Sequence, residues 1–485
     1  MKIYLRKNNQ TQAIKKALSL FISGISLGLV MINGSAYADE MDLQPKVEAY
    51  THEFKLANGL RLIVREDHRS PTVAHMVWYR AGSIDEKNGT SGVAHVLEHM
   101  MFKGTESVPP GDFSKKVAAL GGRENAFTSV DFTAYFQQIE KSHLKEVMAL
   151  EADRMENLKL SEEEFKKEIQ VVMEERRLRT EDQAQGLLYE EFMAIAFNAA
   201  PNRSPVIGWM SDLKTLTYLD ARDWYQHWYK PNNAVVIIVG DVDPAQVLQY
   251  AEQSYGKVQA QALPERKSQI EPEQKGVRRF ELKAPAENRD VYLGWKVPKF
   301  DPKKPYEKEP YALDVLSGIL DGYPNARLNK ILVHDKQLAN DVGASYEPLG
   351  RGEQLFMINA ELSGRRDPAQ IEAEIKKILK DIATQGIREE ELQRVKIAVS
   401  SAQIYKRDSV FGQAMEIGSA EMSGLSWHHI DEWAEGIQKV TAAEIKSVAQ
   451  KYFIDEHLTV GVLDPLPIDA KTQAANARAA AGLLR

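Results

Sequence analysis

The chain has 485 residues, 43% hydrophobic and 27% charged, enough for more than one hydrophobic core. A formal net charge of −7 argues against nucleic acid or an anionic membrane surface as a partner. The absence of cysteine excludes disulfide stapling and restricts any metal site to nitrogen and oxygen ligands.

The N-terminal stretch has three parts. Lys2, Arg6, Lys7, Lys15 and Lys16 form a basic start, an apolar run extends from Ala17 to Ile32, and Ala36-Tyr37-Ala38 precedes Asp39. That is the pattern of a secretory signal peptide over residues 1–38, which implies export to the periplasm. A retained membrane anchor is the alternative, but the apolar run is short and carries serine and glycine. Removing it takes away five basic and no acidic side chains, so the remainder carries −12. No later stretch is long and apolar enough to span a bilayer.

Beyond the signal, strand and helix patterns alternate through residues 45–258. "TVAHMVWY" from Thr72 alternates like a strand, and "GVAHVLEHMMFKGT" from Gly92 follows as an amphipathic helix. On that helix His95 and His99 are four apart and project together, with Glu98 beside them. This HxxEH spacing suits a catalytic zinc site with an open position, in which the glutamate takes a proton from water. The alternative is a helix with two surface histidines and a salt-bridged glutamate. A second helix begins after Ser161, which caps it with Glu164 closing a capping box. Glu168 and Glu175 lie two turns apart on one face of it, near Val171 and Val172. Such a partly buried face gives its carboxylates need of a partner, and a metal is one; a solvated charged face is the alternative. The remaining nine histidines, His75 among them, have no metal-ligand spacing.

Residues 259–276 are polar and aperiodic and read as a linker. Residues 277–468 repeat the first half, and 469–485 form a polar, alanine-rich tail. Aligning Glu162–Glu164 with Glu389–Glu391 sets an offset of 227 and pairs "TVAHMVWY" with "DVYLGWKV" from Asp290. The helix "SGVAHVLEHMMF" corresponds to one around "YALDVLSGIL" from Tyr311. Repetition at this scale indicates duplicated domains of α+β class. Glu168 then falls on Val395 and Glu175 on Ala402, and the second copy has no histidine on the matching helix. Residues 277–485 are expected to fold alone and to bind no zinc.

Several segments together resemble the pitrilysin/insulinase family of inverted-motif zinc peptidases, in the branch of the mitochondrial processing peptidases and bacterial two-domain homologues. They are "LANGLRLIVRED" from Leu56, "AGSIDE" from Ala81, "GVAHVLEHMMFKGT", "GGRENAFTSVDFTAYF" from Gly121, "YKPNNAVVIIVGDVDP" from Tyr229 and "YFIDEHLTVGVLDP" from Tyr452. The resemblance implies two α/β sandwiches, each a mixed sheet flanked by helices, together half of a clamshell. It implies one Zn2+ per chain on His95, His99 and Glu175, the last 76 residues beyond His99. Glu98 is implied as the general base, Glu168 as an assisting residue, and Asn125 and Ala126 as contacts to the substrate backbone. The strand in "SVDFTAYFQQI" is implied as an exposed edge to which a peptide adds.

The function so implied is endoproteolysis of peptides or unfolded polypeptide segments. A non-catalytic subunit or a dedicated processing subunit is the rival. In active members the silent side supplies an arginine and a tyrosine to the substrate. The matching segment, Leu328 to Tyr346, has Asn340 at the tyrosine position and Val333 or His334 at the arginine position. Neither asparagine nor valine replaces a phenol or guanidinium at an oxyanion. The expected assembly is therefore a heterodimer with a homologous subunit that supplies both, rather than a homodimer.

Overall fold

The structure is a computed structural model that describes residues 47–304 and 307–468. The expected signal peptide and alanine-rich tail lie outside the described residues. Among the described residues no helix is long and apolar enough to cross a membrane.

The first half carries β1 (Thr51–Lys55), β2 (Arg61–Glu66), β3 (Thr72–Tyr79), β4 (Arg123–Thr128), β5 (Thr133–Glu140) and β6 (Ala234–Gly240). They form one sheet in the order β1-β2-β6-β3-β5-β4. The second half carries β7 (Arg278–Pro285), β8 (Asp290–Val297), β9 (Ala339–Tyr346), β10 (Gln354–Leu362) and β11 (Leu458–Leu466), ordered β7-β11-β8-β10-β9. Without β1 the two orders coincide. In each sheet one pair is parallel, β2 with β6 and β7 with β11, and the other pairs are antiparallel. The α+β class and the mixed sheets agree with the sequence, as does the correspondence of β3 in the first sheet to β8 in the second.

Seven helices matter for the site and its support. They are α1 (Val93–Met100), α2 (Leu144–Asn157), α3 (Glu162–Arg176), α4 (Ala184–Ala196), α5 (Glu309–Asp321), α6 (Glu389–Arg407) and α7 (Val410–Ser423). One face of the first sheet, with Val73, Val77 and Tyr79, packs on α1 and α2 through Val96, Leu97, Met100, Val147 and Met148. The other face, with Ala74, Met76 and Trp78, shares a core with Ala414, Ile417 and Ala420 of α7, from the second half. The exchange is reciprocal: Leu188 and Phe192 of α4 pack on the second sheet beside Leu463 and Leu355. Burial on both faces is why β3 is apolar almost throughout.

Two expectations change here. The second half, over residues 277–468, shares its packing with the first, because its sheet is covered in part by α4 and its α7 packs on the first sheet. The strand in "SVDFTAYFQQI" is β5, and it is not an edge, since it pairs with β3 on one side and β4 on the other. The edge is β4, which carries Asn125 and Ala126.

The polar stretch expected as a linker runs without helix or strand from 259 to 275, yet it is tied down. Arg266 pairs with Asp85 at 2.9 Å and its guanidinium lies 4.3 Å from the Trp228 ring centroid. Glu271 accepts from the backbone N–H groups of Asn198, Ala199 and Ala200 and pairs with Lys296 at 2.6 Å. Burial opposes ionisation of Glu271, but Lys296 and the three amides hold its carboxyl down at about 2.

Candidate metal centre

The centre forms where α1 crosses α3. The chain enters α1 at Gly92 with φ 86°, and a Cβ there would meet Ile207 O at 2.6 Å and Gly208 Cα at 2.9 Å. Only glycine fits this left-handed, crowded entry. Glu86 then bridges the free donors of the first turn, its two carboxylate oxygens accepting from Gly92 N and Ala94 N at 2.9 Å each. Val93, Ala94, Val96, Leu97 and Met100 bury the inward face, and His95, Glu98 and His99 are presented toward α3 and β4. Across the gap, Ser161 Oγ accepts from Glu164 N at 3.2 Å and starts α3. Glu168 is buried and Glu175 half-buried, while Val171, between them on the same face, is half exposed.

His95, His99 and Glu175 each offer a ligand atom, all within 4.8 Å of one another. Glu175 Oε2 lies 3.3 Å from His99 Nε2 and 3.9 Å from His95 Nε2. Two ligands at roughly 2.0–2.2 Å from a tetrahedral zinc stand little more than 3 Å apart, so this triangle is close to the right size. Among the described residues it is the only such group of three.

The surroundings sort the protons. Burial, with His99 beside it, pushes the His95 imidazole down to about 4, so it stays a neutral lone-pair donor. His99 is half-buried, which opposes its charge, but its bonds to Glu168 and Glu175 overcome that and lift it to about 9. Burial resists ionisation of Glu175, yet His99, His95 and Arg179 bring its carboxyl down to about 2. The metal-free cluster is thus an imidazolium–carboxylate pair that a cation replaces as the proton leaves. Glu168 Oε1 faces His99 Nδ1 at 3.0 Å and leaves Nε2 toward Glu175, and its other oxygen is held by Lys103. A carboxylate on the second ring nitrogen is the usual way a zinc-binding histidine is oriented. His95 Nδ1 is buried with no hydrogen-bond partner. The donor set and its supports fit zinc.

Glu98 does not join the triangle. It is buried beside it and accepts from Thr128 Oγ1, at the end of β4. Burial raises its pKa above the ordinary carboxylate range, partly offset by that hydroxyl. Asn125 and Ala126 lie on β4, Asn125 exposed and Ala126 half-buried, and Asn125 Oδ1 accepts from Ala126 N at 2.9 Å. Asn125 is therefore a strand residue opposite Phe136.

Thr128, Glu86, Lys103 and Arg179 support the centre and were not singled out in the sequence. Lys103 and Arg179 had a signal, each standing four residues beyond a candidate ligand, His99 and Glu175. The second half shows how the same crossing looks without chemistry. Val395 of α6, at the position of Glu168, is buried against α5, where a Cβ on Gly318 would lie 2.7 Å from Val395 Cγ1. In the segment from Leu328 to Tyr346, His334 is exposed, Val333 is half-buried, and Asn340 on β9 donates to Glu361 Oε1 at 3.3 Å.

Both halves of the chain match known proteins. Residues 61–208 match the insulinase (peptidase family M16) domain, and residues 215–399 match the peptidase M16 inactive domain. The zinc protease PqqE of Helicobacter pylori is 30% identical, over 93% of this chain and 99% of that protein. The crystal structure of a protease from Helicobacter pylori superposes with a TM-score of 0.81 at 30% identity, covering 86% of this chain and 99% of that one. The periplasmic protease PqqL of Escherichia coli shares the fold at 19% identity and a TM-score of 0.72, and this chain covers 50% of it. Two mixed sheets of one topology, a cluster of three potential ligands found among the described residues only in the first half, and a relative 30% identical over 93% of the chain lead to one conclusion: the chain belongs to the insulinase family of peptidases, M16.

Proposed function

We propose that the chain is a periplasmic zinc-dependent endopeptidase acting on peptides or unfolded polypeptide segments. In this reading His95, His99 and Glu175 hold one zinc ion, Glu98 is the general base, and Glu168 orients His99. The observation that carries it is the convergence of those three donors within 4.8 Å, with the buried Glu98 carboxylate alongside. When bound, zinc acts as a Lewis acid toward a peptide carbonyl and lowers the pKa of water toward neutrality. Glu98, raised by burial and steadied by Thr128, takes a proton from the attacking water and passes it to the leaving amine. The free edge of β4 accepts the substrate as an added strand, Asn125 and Ala126 lying along it. Backbone pairing of that kind tolerates many sequences.

The test separates metal from base. Glu98→Gln keeps stoichiometric zinc and loses turnover by roughly a hundredfold or more. Glu175→Gln loses zinc, read by elemental analysis. Near wild-type turnover in the first variant removes Glu98 from the role of base, and retained zinc in the second moves the third ligand elsewhere.

The active assembly in this reading is a heterodimer. The positions that the resemblance assigns to an arginine and a tyrosine hold Val333 or His334 and Asn340, so a homologous partner supplies those donors. That PqqL contains about two lengths of this fold supports pairing of two such units into one clamshell.

A further inference from the structure

A three-residue turn, Ser83–Asp85, sits where four parts of the molecule meet. Its backbone is bonded to the turn between β4 and β5, Ser83 N donating to Ser129 O at 3.2 Å and Ile84 N to Val130 O at 2.9 Å. The approach is so close that a Cβ on Gly82 would lie 2.4 Å from Val130 O and 2.5 Å from Phe132 N. Next along the chain, Glu86 holds the first turn of α1, one residue ahead of His95. Asp85 faces the other way. Its carboxylate is almost wholly buried and takes a two-pronged contact from Arg351 of the second half, at 3.2 and 2.6 Å, plus Arg266 at 2.9 Å. Arg351 also donates its backbone N–H to Asp131 Oδ2 at 3.0 Å, on that same β4–β5 turn. One residue before the turn, Thr128 holds Glu98.

Arg351 lies in the half that carries no metal ligands, on the loop between β9 and β10. We propose that it is a positioning residue for Glu98 and the ligand helix, acting through Asp85 and the 129–132 turn. The inference rests on the peptidase reading given above. A bidentate guanidinium fixes both distance and angle, so this contact transmits the placement of the second half to two elements of the centre at once. Glu86 carries it to α1, and the Ser129–Thr128 backbone carries it to the proton acceptor. A shift of about 1 Å in a catalytic group can cost up to a hundredfold in rate, so a modest loosening is enough to register.

The test uses the full chain in the assembly that cleaves, with R351M as the main variant. R351M keeps one zinc per chain, lowers kcat per zinc-loaded chain roughly tenfold, and leaves KM within about twofold. R351K, which keeps the charge but not the fork, recovers part of the loss. Amide hydrogen exchange supplies a readout independent of turnover: Ser83, Ile84, Gly92 and Ala94 exchange faster in R351M while β6 is unchanged. D85N weakens the same contact from the other side, together with that of Arg266, stands in if R351M does not fold, and combines with R351M less than additively in a double-mutant cycle. Wild-type kcat per zinc, or unchanged exchange at those four amides, overturns the inference. E98Q keeps the two claims apart. If E98Q retains turnover the assigned base is wrong, and if E98Q is silent while R351M has wild-type kcat, only the role of Arg351 falls.

Discussion

Glu168 and Glu174 lie on the same charge-rich helix, yet only one of them faces α1. Glu174 is exposed and pairs with Arg177 at 2.9 Å, whereas Glu168 meets His99 and Lys103. Glu168→Gln keeps an oxygen for the His99 Nδ1 proton but removes the charge that makes the imidazole a stronger donor. Zinc affinity should fall ten- to a hundredfold, measured by chelator competition; wild-type affinity would reduce Glu168 to a salt-bridge partner of Lys103. The residues legible in the sequence were those whose relation is local. His95, Glu98 and His99 share one helix, Glu168 and Glu175 another, and helical periodicity alone aligns each set. Choosing Glu175 over Glu174 needed the family resemblance, because adjacent glutamates in such a segment look alike. Thr128 and Glu86 were not legible: each acts through a contact made only when β4 and the Ser83–Asp85 turn fold against α1.

At the scale of elements, β3 shows what a strand pattern conveys and what it hides. "TVAHMVWY" identified a strand correctly, and its repeat in β8 revealed the duplicated topology. The helix that covers its second face, α7, is supplied from the far end of the chain, and no local pattern announces it. At that contact an added Cβ on Gly418 would lie 2.1 Å from Trp78 Cε2 and 2.2 Å from Cζ2, far inside contact distance. Gly418→Ala therefore forces the helix away from β3, at a cost of about 1–3 kcal/mol from overpacking, despite alanine's better helix propensity. The midpoint of urea unfolding of the full chain should drop; an unchanged or higher midpoint would mean that α7 shifts freely and is not a fixed part of the first core. The buried strand also carries a pH effect through His75, whose ring nitrogens face Gln137 at 2.7 Å and Tyr255 at 2.8 Å. Burial holds its pKa below 6.5. The unfolded chain therefore binds the proton that the folded chain refuses, and the stability present above pH 6.5 is lost as pH falls below it. Unfolding free energy between pH 7 and pH 5 should decline by up to about 1.4 kcal/mol per unit less steeply in His75→Gln than in wild type. Parallel slopes would remove His75 as a source of the acid sensitivity.

The whole molecule presents three potential metal ligands within 4.8 Å of one another and an open strand edge on one half, with an apolar contact at the equivalent crossing of the other. Oxyanion stabilisation commonly supplies much of the rate enhancement in acyl transfer, and it depends on donors fixed before reaction begins. Under the pairing proposed above, those donors come from a second subunit, since Asn340 is engaged with Glu361 and His334 is exposed on the second half. Two copies of this chain would bring two zinc sites and no arginine–tyrosine pair. A partner of similar size that lacks metal ligands but has the pair completes one site. Purified alone, the chain should bind one zinc and cleave a mixed pool of denatured peptides slowly, read by mass spectrometry with and without chelator. Adding the partner should raise cleavage by about a hundredfold, the effect of restoring a missing oxyanion donor. The gain should require zinc on this chain, so Glu175→Gln should abolish it. Full activity from a homogeneous preparation of this chain would sink the heterodimer and place the missing donors within the chain itself.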